Sequence, residues 1–113
     1  MTIPAPSREK VIEKAGKVFP NRDLAEVLGW LDQYGREPYE RDRVQLAILK
    51  LSKEDGLPSP ERYVRAAKQD YRDVLACAEY PNEFRCPPAE LTPEVRGRLQ
   101  RADHEQYLAW LAE

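Results

Sequence analysis

The sequence predicts an all-α domain, a compact bundle of five to six helices with the segment 39–54 at its centre. Three observations carry that expectation. Ala and Leu total 24 residues while Val, Ile and Thr total 12; unbranched side chains keep their rotamer freedom in helices, whereas branched ones favour strands. Apolar residues recur at three- and four-residue spacing along most of the chain. The phrases Ser59-Pro60-Glu61 and Thr92-Pro93-Glu94 each join a hydroxyl that can accept from an orphan amide, a proline set near helical φ and an acid suited to the positive helix end.

Each element follows from its local pattern. Residues 1–6 hold two prolines and read as an extended arm. Ser7 can cap a first helix of about 8–19, with Val11, Ile12, Ala15, Val18 and Phe19 at helical spacing and Pro20 as its stop. Asn21 is the expected cap of a second helix, about 22–34. Leu24, Val27, Leu28 and Leu31 form its apolar stripe, and Gly35 stands where a left-handed residue commonly ends a helix.

A turn at Gly35-Arg36-Glu37-Pro38 leads to the third helix. Its segment Val44–Leu51 has six apolar residues in eight, so more than one side must be covered, which makes it the expected centre of the bundle. A buried strand is the rival for so short an apolar run. Glu40, Arg43, Lys50, Lys53 and the segment's length favour helix. Gly56-Leu57-Pro58 breaks the chain before the Ser59 cap. The fourth helix, about 60–80, turns Val64, Ala67, Tyr71, Val74, Leu75 and Ala78 inward and ends before Pro81.

Residues 7–80 thus read as a four-helix core and 81–91, with three prolines, as a connector. Residues 92–113 read as a helical segment packed on the core. Asp103-His104-Glu105-Gln106 has capping-box spacing and is expected to restart a short last helix carrying Tyr107, Leu108, Trp110 and Leu111. Left in water, those four residues would make an apolar patch, so they must dock on their own domain or on a second chain.

Composition narrows the functional classes. The chain has 113 residues, enough for one domain with its own core. It carries 18 basic and 20 acidic residues, and 14 of each sign fall within 1–80, so no charged tail or general grip on nucleic acid or an anionic membrane is indicated. No apolar run reaches the length of a membrane span, and the N-terminal residues lack a signal peptide's basic and apolar regions. A cytoplasmic protein is expected, with Cys77 and Cys86 as free thiols rather than a bridge.

Candidate chemistry is sparse. The single histidine, His104, has no ligand-type pairing nearby and reads as an exposed residue in the first turn of the last helix. The five glycines are isolated, so no phosphate-cradling loop is present. Ser7 and Ser59 are committed as caps, and nothing brings Cys77 to His104. Glu9 and Glu13, with Lys10, Lys14 and Lys17 around them, read as solvated ion-pair partners. No catalytic residue, metal or cofactor is expected.

Two binding surfaces remain. Tyr34, Tyr39, Tyr80, Phe84 and Trp110 are candidates for protein interaction, because aromatic residues are favoured interface anchors. Arg62, Arg65, Lys68 and Arg72 share a side of the fourth helix and are candidates for nucleic-acid binding. The long proline-stiffened turn before them and the diluting Glu61, Asp70 and Asp73 favour reading that side as a solvent face with local pairs such as Glu61–Arg65.

The run Tyr71-Arg72-Asp73-Val74-Leu75-Ala76-Cys77-Ala78-Glu79-Tyr80-Pro81, after the Arg-Val-Gln-Leu-Ala-Ile-Leu helix, resembles a group of small uncharacterised bacterial proteins over about residues 39–81. Those proteins tend to carry Trp where this chain has Cys77. The resemblance implies no activity, and an apolar residue exchanging with cysteine points to packing. The expectation that results is a non-enzymatic protein-interaction or structural module of the bacterial cytosol, its partner another protein or itself. A nucleic-acid-associated regulator is the alternative.

Overall fold

A computed structural model describes residues 4–35 and 40–113, and all regular structure within them is helical. The helices are α1 (Arg8–Val18), α2 (Leu24–Leu31), α3 (Arg41–Glu54), α4 (Glu61–Glu79), α5 (Pro81–Arg85) and α6 (Pro93–Ala112), with a 3-10 turn at Pro88–Glu90 before α6. α3 is the centre. Nine consecutive residues, Val44 to Ser52, are buried, because α4 and α1 pack on it from different sides. Ile48 and Leu49 are fully buried, each a gain of roughly 1.5–3 kcal/mol over an exposed side chain.

Several helix ends follow the expected chemistry. The Ser7 hydroxyl accepts from Lys10 N at 3.1 Å, and Thr92 Oγ1 from Val95 N at 3.2 Å with Pro93 in the first turn. α3 ends in a Schellman motif at Gly56, the one described glycine with positive φ (61°). Leu57 N donates to Ser52 O (2.9 Å) and Gly56 N to Lys53 O (3.1 Å), a closure that needs a left-handed residue.

Other ends correct the sequence reading. α2 starts at Leu24 because Asp23, not Asn21, supplies the cap, its Oδ1 accepting from Ala25 N and Glu26 N. It stops at Leu31 without a left-handed Gly35. The chain turns off through Asp32 N to Leu28 O, Gln33 N to Trp30 O and Tyr34 N to Leu31 O, and the fully buried Gln45 amide adds donors to Leu31 O (2.9 Å) and Tyr34 O (3.1 Å). At α4 the cap position falls on Pro60, which has no side-chain oxygen, and the Ser59 hydroxyl turns to Glu61 Oε1 at 3.3 Å.

α4 is also bent. Asp70 has φ −155° and ψ 95° inside the helix, and its Oδ1 accepts from Arg72 N at 3.1 Å, capping the second half. Residues 81–91, expected as a plain connector, contain α5 and the 3-10 turn, and α5 packs on α6. α6 runs unbroken, so Asp103 does not restart a helix. Its buried carboxylate faces α5 instead. Tyr107, Trp110 and Leu111 are buried in the same core as α3.

The lysines of α1 close the bundle. Lys14, expected in solvent, is 1% exposed. Its Nζ donates to Trp110 O at 2.5 Å and lies 4.5 Å from the Trp110 ring centroid. Lys10 Nζ donates to Leu111 O (3.2 Å) and Lys17 Nζ to Glu113 O (2.6 Å). Three cations thus meet the carbonyls at the negative end of α6. Burial pushes the Lys14 ammonium below its ordinary pKa, against the pull of Glu113.

Candidate functional site

A groove of about 710 Å³ opens between α1, α3, the end of α4 and α6. Leu46, Leu108, Leu111 and Ala112 give it apolar walls, and the exposed arm residues Pro4 to Ser7 form one side. Pro4 and Pro6 bring no N–H to it.

The polar floor is built from two helices and reinforced by a third. Arg43 of α3 grips Glu79 of α4 with two bonds, Nε to Oε2 at 2.8 Å and Nη2 to Oε1 at 2.6 Å. A third bond runs from Arg43 Nη1 to Glu40 Oε2 at 3.2 Å. The Glu79 side chain is 7% exposed, a charge that the fold accepts because a guanidinium matches a carboxylate at both oxygens. Hydrogen bonding to Glu79 raises the Arg43 pKa further above its already high ordinary value.

Tyr107 of α6 completes the floor. It is 2% exposed and lines the groove, yet its hydroxyl has no hydrogen-bond partner among the described residues. Burial raises its pKa, and the nearby Glu79 charge adds to that rise against Arg43. A neutral phenol therefore lines a mostly apolar space.

The aromatic candidates separate into two sets. Tyr34 (7% exposed) packs on Tyr71 with ring centroids 6.4 Å apart, and Trp110 (6%) on Tyr107 at 5.8 Å, so both rings are largely covered within the chain. Tyr80 and Phe84 are 38% and 49% exposed across the α4–α5 junction. Tyr39 lies outside the described residues.

Arg62, Arg65, Lys68 and Arg72 are all exposed. The bend at Asp70 separates Arg72 from the other three, and its Nε lies 3.7 Å from Asp70 Oδ1. Arg62 stacks over Tyr63, 5.6 Å from the centroid. No ion pair joins Glu61 to Arg65; Glu61 Oε1 accepts instead from the Ser59 hydroxyl. Beside the bend a second hollow of about 590 Å³ is lined by Tyr34, Tyr71, Lys68 and Arg72.

His104 lies midway along α6 rather than in a first turn, half-buried, with Nε2 unpartnered. Cys77 and Cys86 are free, and burial raises the Cys77 pKa, opposite to what an activated thiolate needs. Among the described residues no group of three or more His, Cys, Asp or Glu is placed to hold a metal ion. None of the described helices is long and apolar enough to cross a membrane.

Sequence reasoning missed Arg43, Glu79 and Tyr107 as a unit. Arg43 and Glu79 are 36 positions apart, and no spacing rule joins residues on separate helices. One signal was available: Glu79 lies four residues after Leu75, on the apolar side of α4, and a carboxylate there must find a partner. Compared with protein-family models, with curated proteins and with solved structures, the chain has no match.

Proposed function

We propose that this chain is a non-enzymatic protein-interaction module of the bacterial cytosol, which takes an apolar segment of a partner protein into the groove above Arg43 and Glu79. The observation that carries this reading is the groove itself. Leu46, Leu108, Leu111 and Ala112 border an open space of about 710 Å³, large enough for several side chains of a docked segment. The bacterial cytosolic setting rests on the resemblance over residues 39–81 and on the two free thiols.

Leu108 is the residue to change, because it lines the groove and is only half-buried. The wild type and Leu108→Asp would be used side by side in affinity capture from bacterial lysate, with circular dichroism to verify folding. A partner recovered by the wild type and lost with Leu108→Asp is the expected outcome. An identical captured set from both proteins would refute the groove as the interaction surface.

One observation favours nucleic acid as a second reading. Arg62, Arg65 and Lys68 are exposed and make no ion pair with another described residue, so their charge is available to phosphates. Binding of a labelled duplex that weakens steeply with salt, and that is weaker with a shallower salt slope in the Arg62→Ala/Arg65→Ala protein, would establish it. Salt-independent or absent binding removes it.

A further inference from the structure

Apart from the groove, we propose that Arg85 of α5 and Arg98 of α6 form a clamp for the phosphoryl group of a phosphate monoester.

Both arginines line one hollow of about 400 Å³ between α5, the 3-10 turn and the first half of α6. Both are exposed, and neither makes an ion pair or a hydrogen bond with a described residue. By contrast, Arg8, Arg22, Arg43 and Arg96 are each held by a carboxylate. Glu83, the acid of α5, is already engaged: it lies 3.5 Å from Arg96 Nε and accepts from Gln100 Nε2 at 3.2 Å. Among the described residues that leaves Glu90 as the one carboxylate lining the hollow, against two guanidiniums. An anion is therefore the ligand that the local charge favours.

The donors select among anions. Each guanidinium carries its N–H groups in a planar fork, so two of them offer more donors than the two oxygens of a carboxylate can take. A phosphate monoester brings three strong acceptor oxygens and about two negative charges near neutral pH, enough to serve both forks at once. The clamp is also set before the ligand arrives. The buried Asp103 carboxylate of α6 accepts from the backbone of Asn82 and Glu83, which fixes the helix that carries Arg85 on the helix that carries Arg98 and lowers the ordering cost of binding. Val95, Leu99 and Pro87 border the same hollow, so the ester's organic group finds apolar surface beside the charge.

The test titrates the isotope-labelled full chain with phenyl phosphate at constant ionic strength and follows the backbone amide shifts. Saturable shifts at Cys86 and Leu99 with a Kd of about 1 mM are expected from two charge-assisted contacts open to water. Arg85→Gln and Arg98→Gln should each weaken binding about ten-fold. Arg101→Gln removes the same charge from α6 outside the hollow and should change affinity less than about two-fold. All three side chains are exposed, so the variants keep the fold. Acetate should not reproduce the shifts. A short phosphotyrosine peptide that binds more tightly than phenyl phosphate would make a phosphorylated partner chain the source of the group, and equal or weaker binding a small ester. Shifts that grow linearly with concentration, or that acetate reproduces, would overturn the proposal. Equal losses in all three variants would overturn it too, as the mark of a general charge effect.

Discussion

Asp103 of α6 caps a helix other than its own: its Oδ1 accepts from the backbone N–H of Asn82 at 3.1 Å, in the first turn of α5. The same carboxylate accepts from Asn82 Nδ2 at 2.8 Å and from Glu83 N at 3.0 Å. α5 has only five residues and no side-chain cap of its own, so its orientation depends on an acid 20 positions away from Glu83. The positive end of the short helix and the buried carboxylate satisfy each other. Asp103→Ala leaves those donors facing an apolar methyl and should destabilise the protein by about 2–4 kcal/mol in urea unfolding. Amide exchange should rise first at Asn82 and Glu83. A change under about 0.5 kcal/mol would mean that water replaces the carboxylate freely.

Ile48 is fully buried on the central helix, on which both α1 and α4 pack. Ile48→Ala should cost about 2–5 kcal/mol, from lost transfer energy and the cavity left behind. The urea midpoint reads this directly. A shift worth well under 1 kcal/mol would place the core elsewhere.

Lys14 gives the fold a pH dependence on the alkaline side. Its pKa is depressed in the folded state, chiefly by burial, from the ordinary 10.5. The unfolded chain therefore keeps this proton to higher pH than the folded one. Folding stability from this group rises as pH climbs through the depressed value, and it levels off above 10.5. Titrating tyrosines contribute equally to both proteins when the wild type is compared with Lys14→Met. The difference between their unfolding free energies should move in favour of the wild type from pH 7 toward 10.5. A difference that stays flat over that range would mean Lys14 is hydrated.

The helical class and the central place of α3 were legible because they rest on patterns within one segment: the Leu and Ala content, the apolar run from Val44 to Leu51, and the Ser7 and Thr92 caps. What escaped rests on pairs far apart in sequence. Gln45 adds donors to the end of α2 from another helix, and Asp103 was readable as a cap but not as the cap of α5. Asp70 illustrates a third case. Its side chain can cap a helix or ride on its surface, and local spacing alone does not separate those outcomes. The groove was illegible for the same reason, since Arg43, Glu79 and Tyr107 belong to three different helices.

The lysine closure of α6 also bears on the order in which the chain assembles. Lys14 and Trp110 are 96 positions apart, so their bond closes almost the largest loop available and returns no energy until most of the bundle exists. Interactions of that kind tend to be absent from the folding transition state. Weakening them then acts on the escape from the native state rather than on arrival there. In stopped-flow chevrons, Lys14→Met should thus alter mainly the unfolding limb and leave the refolding limb nearly superimposable on that of the wild type. A slowed refolding limb would place α1 and α6 together early, in the folding nucleus. The clasp that holds the two helices would then set how long a folded molecule lasts more than how fast it forms.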